Sequence, residues 1–173
     1  HDTVRLITRL AGAPQKQNDR LWQSRQKLSD DQFKRGIALQ KLAAFLQYTL
    51  PGVPSLYYGD ELGSEGYSDP FNRAPFEPEK GCRELITFYK FLGNMRKNEA
   101  FSGGKFIPVW CELGTFAFIR KKGQRQVLAA VNRWCEEESI PLPEGFESAK
   151  LTGGRISDGR LFIPAYGFAL LEK

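Results

Sequence analysis

Gly52-Val53-Pro54-Ser55-Leu56-Tyr57-Tyr58-Gly59-Asp60-Glu61-Leu62-Gly63 is the stretch that decides how this chain folds. Val53 to Tyr58 is a short apolar run bounded by Pro and Gly. That length and those boundaries predict a strand buried on both faces, as strands of parallel sheets are. The segment before it predicts a helix. Ser29 and Gln32 have the spacing of a capping box, with Leu28 and Phe33 placed for a hydrophobic staple. Phe33, Ile37, Leu42, Phe45, Leu46 and Thr49 then recur at helical spacing and define one buried face, which Pro51 and Gly52 bring to an end. A helix followed by a buried strand is half of a βα repeat.

Outward from this stretch the texture differs on the two sides. Upstream, Val4, Ile7 and Leu10 mark a short amphipathic piece before the chain turns polar and loop-like up to residue 28. Downstream, residues 59–78 are rich in Gly, Asp, Asn and Pro, and a loop of that length is more than a connector. Pro78 to Asn98 predicts a second helix with Leu85, Phe88, Leu92 and Met95 on its inner face. After Ala100 the helical period disappears. Phe116, Phe118 and Arg120 alternate with Thr115, Ala117 and Ile119; Val127 to Val131, Leu161 to Ile163 and Phe168 to Leu171 are apolar runs between turn signals. These predict an antiparallel β-sandwich of roughly 70 residues.

The twelve-residue run, together with the His1-Asp2 pair about fifty residues before it, resembles the alpha-amylase family of retaining glycoside hydrolases (glycoside hydrolase family 13). In that family a His-Asp pair ends the seventh strand of a (β/α)8 TIM barrel, and Gly-x-Pro-x-x-Tyr-Tyr-Gly-Asp-Glu-x-Gly forms the eighth strand and its exit. The resemblance implies an α/β plus all-β chain: the terminal segment of the barrel over residues 1–99, then a C-terminal antiparallel β-sandwich domain over 100–173. A complete barrel needs roughly 250 residues. This chain has 173, and position 1 falls inside a motif with no initiator Met, so it is expected to be the C-terminal piece of a larger enzyme.

Retaining cleavage of a glycosidic bond uses two carboxyl groups around an oxocarbenium-like transition state. The family adds a third carboxylate after the His of strand seven. By the resemblance Asp2 is that transition-state stabiliser and His1, the single histidine, donates to a neighbouring sugar hydroxyl. The bland alternative is a frayed terminal dipeptide. The nucleophile and the general acid/base lie on the fourth and fifth strands in the family, and no other carboxylate here is promoted to those roles. Gly66-Tyr67-Ser68-Asp69-Pro70-Phe71-Asn72-Arg73 resembles a loop of neopullulanase and maltogenic-amylase-like members, where the Asp and Arg contact sugar. Asp69 and Arg73 are therefore candidate substrate-binding residues, or a self-contained ion pair bracing a turn; both readings can hold together. Asp60 and Glu61 are expected to orient the loop through buried hydrogen bonds rather than to catalyse. Adjacent strand residues face opposite ways, so Tyr57 and Tyr58 are expected to pack on opposite sides. Trp110 and Trp134 are sugar platforms or, more in keeping with their surroundings, core.

Composition removes several classes. With 41% hydrophobic and 26% charged residues the chain is ordinarily globular. A net charge of +5 is scattered, and the one tight cluster, Arg120-Lys121-Lys122, precedes Gly123 as a solvated hairpin end would. No nucleic-acid partner is expected. No apolar run reaches a membrane span, so no membrane association is expected either. Cys82, Cys111 and Cys135 form no C-x-x-C pair and are expected to be free, mostly structural thiols in a reducing cytoplasm. Asp60, Glu65 and Asp69 lack the spacing of a calcium loop, and neither metal nor organic cofactor is expected. The expected function is hydrolysis of α-glucosidic bonds in maltodextrin-like α-glucan oligosaccharides by the intact enzyme, the fragment alone being inactive. The fragment is expected to dimerise or aggregate through an unpaired barrel strand, or to rearrange so that the helix before it covers the strand. Two rivals stand beside this: a non-catalytic carbohydrate-binding β-sandwich module, and a barrel relative that has lost catalysis.

Overall fold

A capping box opens the longest helix. In the computed structural model, which describes residues 3–14 and 19–173, the Ser29 N–H donates to the Gln32 side chain at 3.0 Å and the Gln32 N–H to the Ser29 hydroxyl at 3.3 Å. These two bonds satisfy amides that a helix start leaves orphaned. Among the described residues four α-helices form: α1 (Leu6–Leu10), α2 (Arg20–Gln23), α3 (Asp30–Thr49) and α4 (Arg83–Met95). Eight strands follow among the described residues: β1 (Lys105–Glu112), β2 (Thr115–Lys122), β3 (Arg125–Asn132), β4 (Glu138–Pro141), β5 (Lys150–Thr152), β6 (Arg155–Ser157), β7 (Arg160–Ile163) and β8 (Gly167–Glu172). No helix among the described residues is long and apolar enough to cross a membrane.

The chain divides into two units, His1–Lys41 with Ser55–Phe91, and Leu42–Pro54 with Leu92–Lys173. In the first, the apolar periodicity of the helices is used as the sequence predicts. Ile7 of α1, Ile37 of α3, and Leu85 and Phe88 of α4 are buried. Lys41 reaches Glu84 at 2.9 Å while its ammonium lies 5.2 Å from the Phe88 ring, so its stem covers apolar surface and its charge stays wet.

In the second unit β1-β2-β3-β8-β5 make a five-stranded antiparallel sheet and β4-β7-β6 a three-stranded one. Between them Ala117, Leu128, Ala130, Ile140, Leu161, Ile163, Ala169 and Leu171 form a fully buried core, closed by Phe146. The alternation read over 115–120 holds. Ala117 enters this core while Phe118 and Arg120 take the other face of the sheet, where Phe45 of α3 stacks on Phe168 at 4.4 Å. Ala117, Ala130 and Ala169 on the inner faces of β2, β3 and β8 let the sheets approach, and Ile140 of β4, Leu161 and Ile163 of β7 and the Phe146 ring of the 143–149 turn fill the space.

Two expectations need correction. Val53–Tyr58 is not a strand: it carries no ladder among the described residues, and Val53 is 94% exposed and Leu56 40%. A strand is a pairing, and no described strand lies beside this run to pair with it. Arg120 is not part of a solvated hairpin end. Lys121 and Lys122 are exposed, with the turn at Gly123 as read, but Arg120 is 2% exposed. Its guanidinium donates to the carbonyls of Thr49 (2.8 Å), Phe101 (3.3 Å) and Gly104 (3.2 Å). Burial lowers its pKa from the ordinary arginine value, and the charge of Arg96 pushes the same way. Arg96 in turn donates to the carbonyls of Tyr48 (2.7 Å), Leu50 (3.3 Å) and Gly52. Two cations thus satisfy carbonyls that the end of α3 leaves open and complement its dipole.

Candidate functional site

The loop after Tyr58 is built by its own turns and by bonds back to the start of the chain. Gly59 adopts φ of 87° and opens a 3₁₀ turn at Asp60–Leu62. Its carbonyl then accepts from Leu62 at 3.0 Å and Ser64 at 2.9 Å. Gly66 exchanges two bonds with the N-terminal segment: its carbonyl accepts from Arg5 N–H at 2.9 Å and its N–H donates to the Thr8 hydroxyl at 3.0 Å. Only glycine fits there, because an added Cβ would stand 2.2 Å from the Phe71 carbonyl oxygen. Asn72, fully buried, donates from its side-chain amide to the Thr3 carbonyl at 2.8 Å. Glu65 accepts from the Leu28 N–H at 2.7 Å, just ahead of the α3 capping box.

Arg5 organises the motif. It is 2% exposed, and its guanidinium lies 4.4 Å from the Tyr57 ring centroid and 4.8 Å from that of Tyr58. It donates to the Tyr58 carbonyl at 2.5 Å and to the Asp60 carboxylate at 3.4 Å. The expectation that Tyr57 and Tyr58 diverge is therefore wrong. Their rings meet edge to face at 4.9 Å, because without a strand nothing forces neighbours to opposite sides and one cation draws both. Burial raises the Asp60 carboxyl above its ordinary value; the charge and hydrogen bond of Arg5 act in the opposite direction, and Glu61 adds to the rise. The Asp60 carbonyl accepts from Gln40 at 2.6 Å. The orienting role expected of Asp60 fits this pairing.

Asp69 and Arg73 are joined by a direct ion pair across a tight turn, in which Phe71 N–H bonds Ser68 and Arg73 N–H bonds Pro70. The Arg73 side chain is 45% exposed and that of Asp69 49%, so the pair faces solvent. Beside the turn a groove of about 530 Å³ is walled by Phe33, Tyr67, Phe71, Lys27, Glu65 and Glu77, among others; Asp69 and Arg73 stand outside its lining. Burial raises the Tyr67 hydroxyl pKa, helped by the charge of Glu65. Asp60, Glu65 and Asp69, weighed together as a cation site, each serve a different protein donor. No group of three ligating side chains placed for a metal occurs among the described residues. His1 and Asp2 lie outside the described residues.

Trp134 is neither core nor free platform. It is 38% exposed, its indole N–H donates to the Leu113 carbonyl at 2.7 Å, and Arg133 lies 5.2 Å from its ring. Trp110 is partly buried against the sandwich core. The three cysteines are free, with Cys82 half-buried and Cys111 and Cys135 exposed. Sequence reading missed Arg5, Asn72 and Gln40. Their partners lie 20 to 69 residues away, beyond the reach of any local pattern. Only the polarity of Arg5 between Val4 and Leu6, inside an amphipathic stretch, hinted at a buried cation.

No family model matches the chain. Curated relatives do. Amylopullulanase of Thermoanaerobacter thermohydrosulfuricus is 36% identical over 122 residues, which is 70% of this chain and 8% of that protein. Cyclomaltodextrinase of Thermoanaerobacter pseudethanolicus is 35% identical over 111 residues, 62% of this chain and 19% of the relative. The chain thus spans less than a fifth of the length of either. The crystal structure of an Anoxybacillus alpha-amylase superposes over 99% of this chain and 36% of its own, with a TM-score of 0.73 and 25% identity. The two antiparallel sheets fit the β domain that follows the barrel in such enzymes. The chain belongs to the alpha-amylase family of glycoside hydrolases, family 13, and corresponds to a C-terminal region of its members.

Proposed function

We propose that this chain is the C-terminal part of a retaining α-glucan hydrolase that cleaves α-glucosidic bonds in maltodextrin-like oligosaccharides. Residues 1–99 belong to its (β/α)8 barrel, where strands from the rest of the enzyme would give Val53–Tyr58 the ladder it lacks here, and residues 100–173 are its β-sandwich domain. The observation that carries the reading is the similarity to amylopullulanase over 70% of this chain, which includes far more than the short motifs. Asp2 supplies the third carboxylate, accepting hydrogen bonds from sugar hydroxyls and placing negative charge near the developing oxocarbenium ion. His1 donates to an adjacent hydroxyl. Nucleophile and acid/base come from other strands of the barrel, so the 173-residue chain alone turns nothing over. The enzyme works in the cytoplasm, in keeping with three free thiols.

Asp69 and Arg73 bind sugar beyond the cleavage point. A planar guanidinium and a carboxylate together match adjacent hydroxyls as donors and acceptors, and their exposure leaves them open to a ligand. Arg73→Ala in the intact enzyme tests this. Loss of a charged hydrogen bond lowers use of long maltodextrins by roughly 1.5–3 kcal/mol in kcat/KM, while a short aryl maltoside suffers less. Equal losses on both substrates, with a lowered melting temperature, show a brace and no sugar contact.

A further inference from the structure

We propose that the groove beside the Asp69–Arg73 turn is a second sugar-binding site, where the Tyr67 hydroxyl and the Glu65 carboxylate take the hydroxyls of an α-glucan whose ring faces lie against Phe71 and Phe33. The choice of an α-glucan rests on the function proposed above; the groove itself rests on geometry that involves neither Asp69 nor Arg73.

The walls of the groove all come from the first unit, from residues 23–33 around the start of α3 and residues 62–82 of the loop. Tyr67 is 6% exposed, and its ring is fixed edge to face by Trp22 at 5.2 Å. Among the described residues nothing hydrogen-bonds its hydroxyl. Burial, and then the charge of Glu65, raise the pKa of that hydroxyl, which keeps it a neutral donor and places Glu65 within its reach. Glu65 accepts the Leu28 N–H through Oε2 at 2.7 Å, while Oε1 takes no bond from a described residue. A donor and an acceptor thus stand unused beside each other in one wall. Buried polar groups in folded proteins are almost always paired, so a hydroxyl on a residue this little exposed finds its partner in what enters the groove. Phe33 and Phe71, both half-buried, add apolar surface. Two lysines and two glutamates line the groove: Lys80 pairs with Glu77 at 2.6 Å and Lys27 is balanced by Glu65, so the walls carry no net charge. That balance suits a neutral ligand better than a phosphate or a cation. Apolar faces, unused hydrogen-bonding groups and zero net charge together describe a pyranose. Its C–H faces suit the negative face of an aromatic ring, and its rim of hydroxyls both donates and accepts. The volume of about 530 Å³ is that of a small-molecule site. Phe71 lies midway in sequence between Asp69 and Arg73, so the groove adjoins the ion pair without sharing its residues.

The chain carries its own reporter. Cys82, half-buried, lines the groove, whereas Cys111 and Cys135 are exposed in the other unit and serve as controls. In the intact enzyme that carries this chain, alkylation of each thiol by iodoacetamide is followed by peptide mass spectrometry, with and without a thio-linked maltotetraose that resists hydrolysis. The sugar is expected to slow Cys82 saturably and to leave Cys111 and Cys135 unchanged. Tyr67→Phe keeps the ring and its contact with Trp22, and should raise the half-protecting concentration roughly 3- to 10-fold. Phe71→Ala should raise it on the order of 10-fold or more. Both should keep the parent kcat/KM on a short aryl maltoside. Ser24→Cys sets an exposed thiol on the same wall and gives a reading independent of Cys82 reactivity. Equal rates with and without sugar at both positions overturn the site, as does equal slowing of all three native thiols or protection that Tyr67→Phe and Phe71→Ala leave unchanged. An enzyme that cleaves maltodextrin without protecting Cys82 loses this site alone. Protection in an enzyme that cleaves no α-glucan keeps the site and removes the proposed function.

Discussion

Replacing Arg120 by Met should destabilise the β-sandwich unit although the site is almost fully buried and Met is apolar. The buried side chain holds three carbonyls, of Thr49, Phe101 and Gly104, at 2.8–3.3 Å. Met fills similar volume but donates nothing, so those carbonyls are left to water that reaches them poorly. Each bond from a charged donor contributes roughly 1.5–3 kcal/mol. The three do not add, because one guanidinium makes them all and its own desolvation opposes burial. A net loss of about 3 kcal/mol follows, which lowers the melting temperature by roughly 6–12 °C in a chain of this size. Urea unfolding followed by tryptophan fluorescence measures it. The chain has three tryptophans; in a Trp22→Phe background only Trp110 and Trp134, both in the sandwich unit, report. Arg120→Lys, a point charge able to reach a carbonyl, should recover part of the loss. An Arg120→Met variant as stable as the parent refutes the argument that these carbonyls depend on the guanidinium.

Asp60 should make the first unit pH-dependent. Its folded carboxyl titrates above the ordinary value of 3.8, so its contribution to stability is complete below that value and is lost as pH rises through the raised one. The advantage of Asp60→Asn over the parent should therefore grow as pH rises from 3.8 through the raised value; a difference that is flat or shrinks with pH contradicts this. Gly114→Ala should expel Trp134, because an added Cβ would lie 2.1 Å from its indole nitrogen and Gly114 sits at φ of 97°. Red-shifted emission and a loss of at least about 1 kcal/mol are expected, and unchanged emission speaks against the contact.

Legibility followed the range of the interactions. The capping box at Ser29 and Gln32 is a contact between neighbours, so residue identity at a fixed spacing discloses it. The buried faces of α3 and α4 and the alternation along β2 are likewise periodic, and the sequence displays them. Val53–Tyr58 looked like a strand because apolar runs between Pro and Gly suit one, but pairing needs a second strand that local sequence does not describe. Arg120 looked solvated because two exposed lysines follow it; its carbonyl partners lie 16 to 71 residues away. At the candidate site, Asp69 and Arg73 were readable four residues apart in one motif. Arg5 and Asn72, which fasten that loop to the N-terminal segment, became visible only once the chain had folded back on itself.

The most direct test of the central claim is turnover of an aryl α-maltoside by the intact enzyme, by its Asp2→Asn variant, and by the 173-residue chain alone. The account predicts an active enzyme, a loss on the order of 10²–10³-fold in kcat for Asp2→Asn, and no turnover by the chain. Wild-type kcat in the Asp2→Asn enzyme, or turnover by the isolated chain that Asp2→Asn abolishes, contradicts it.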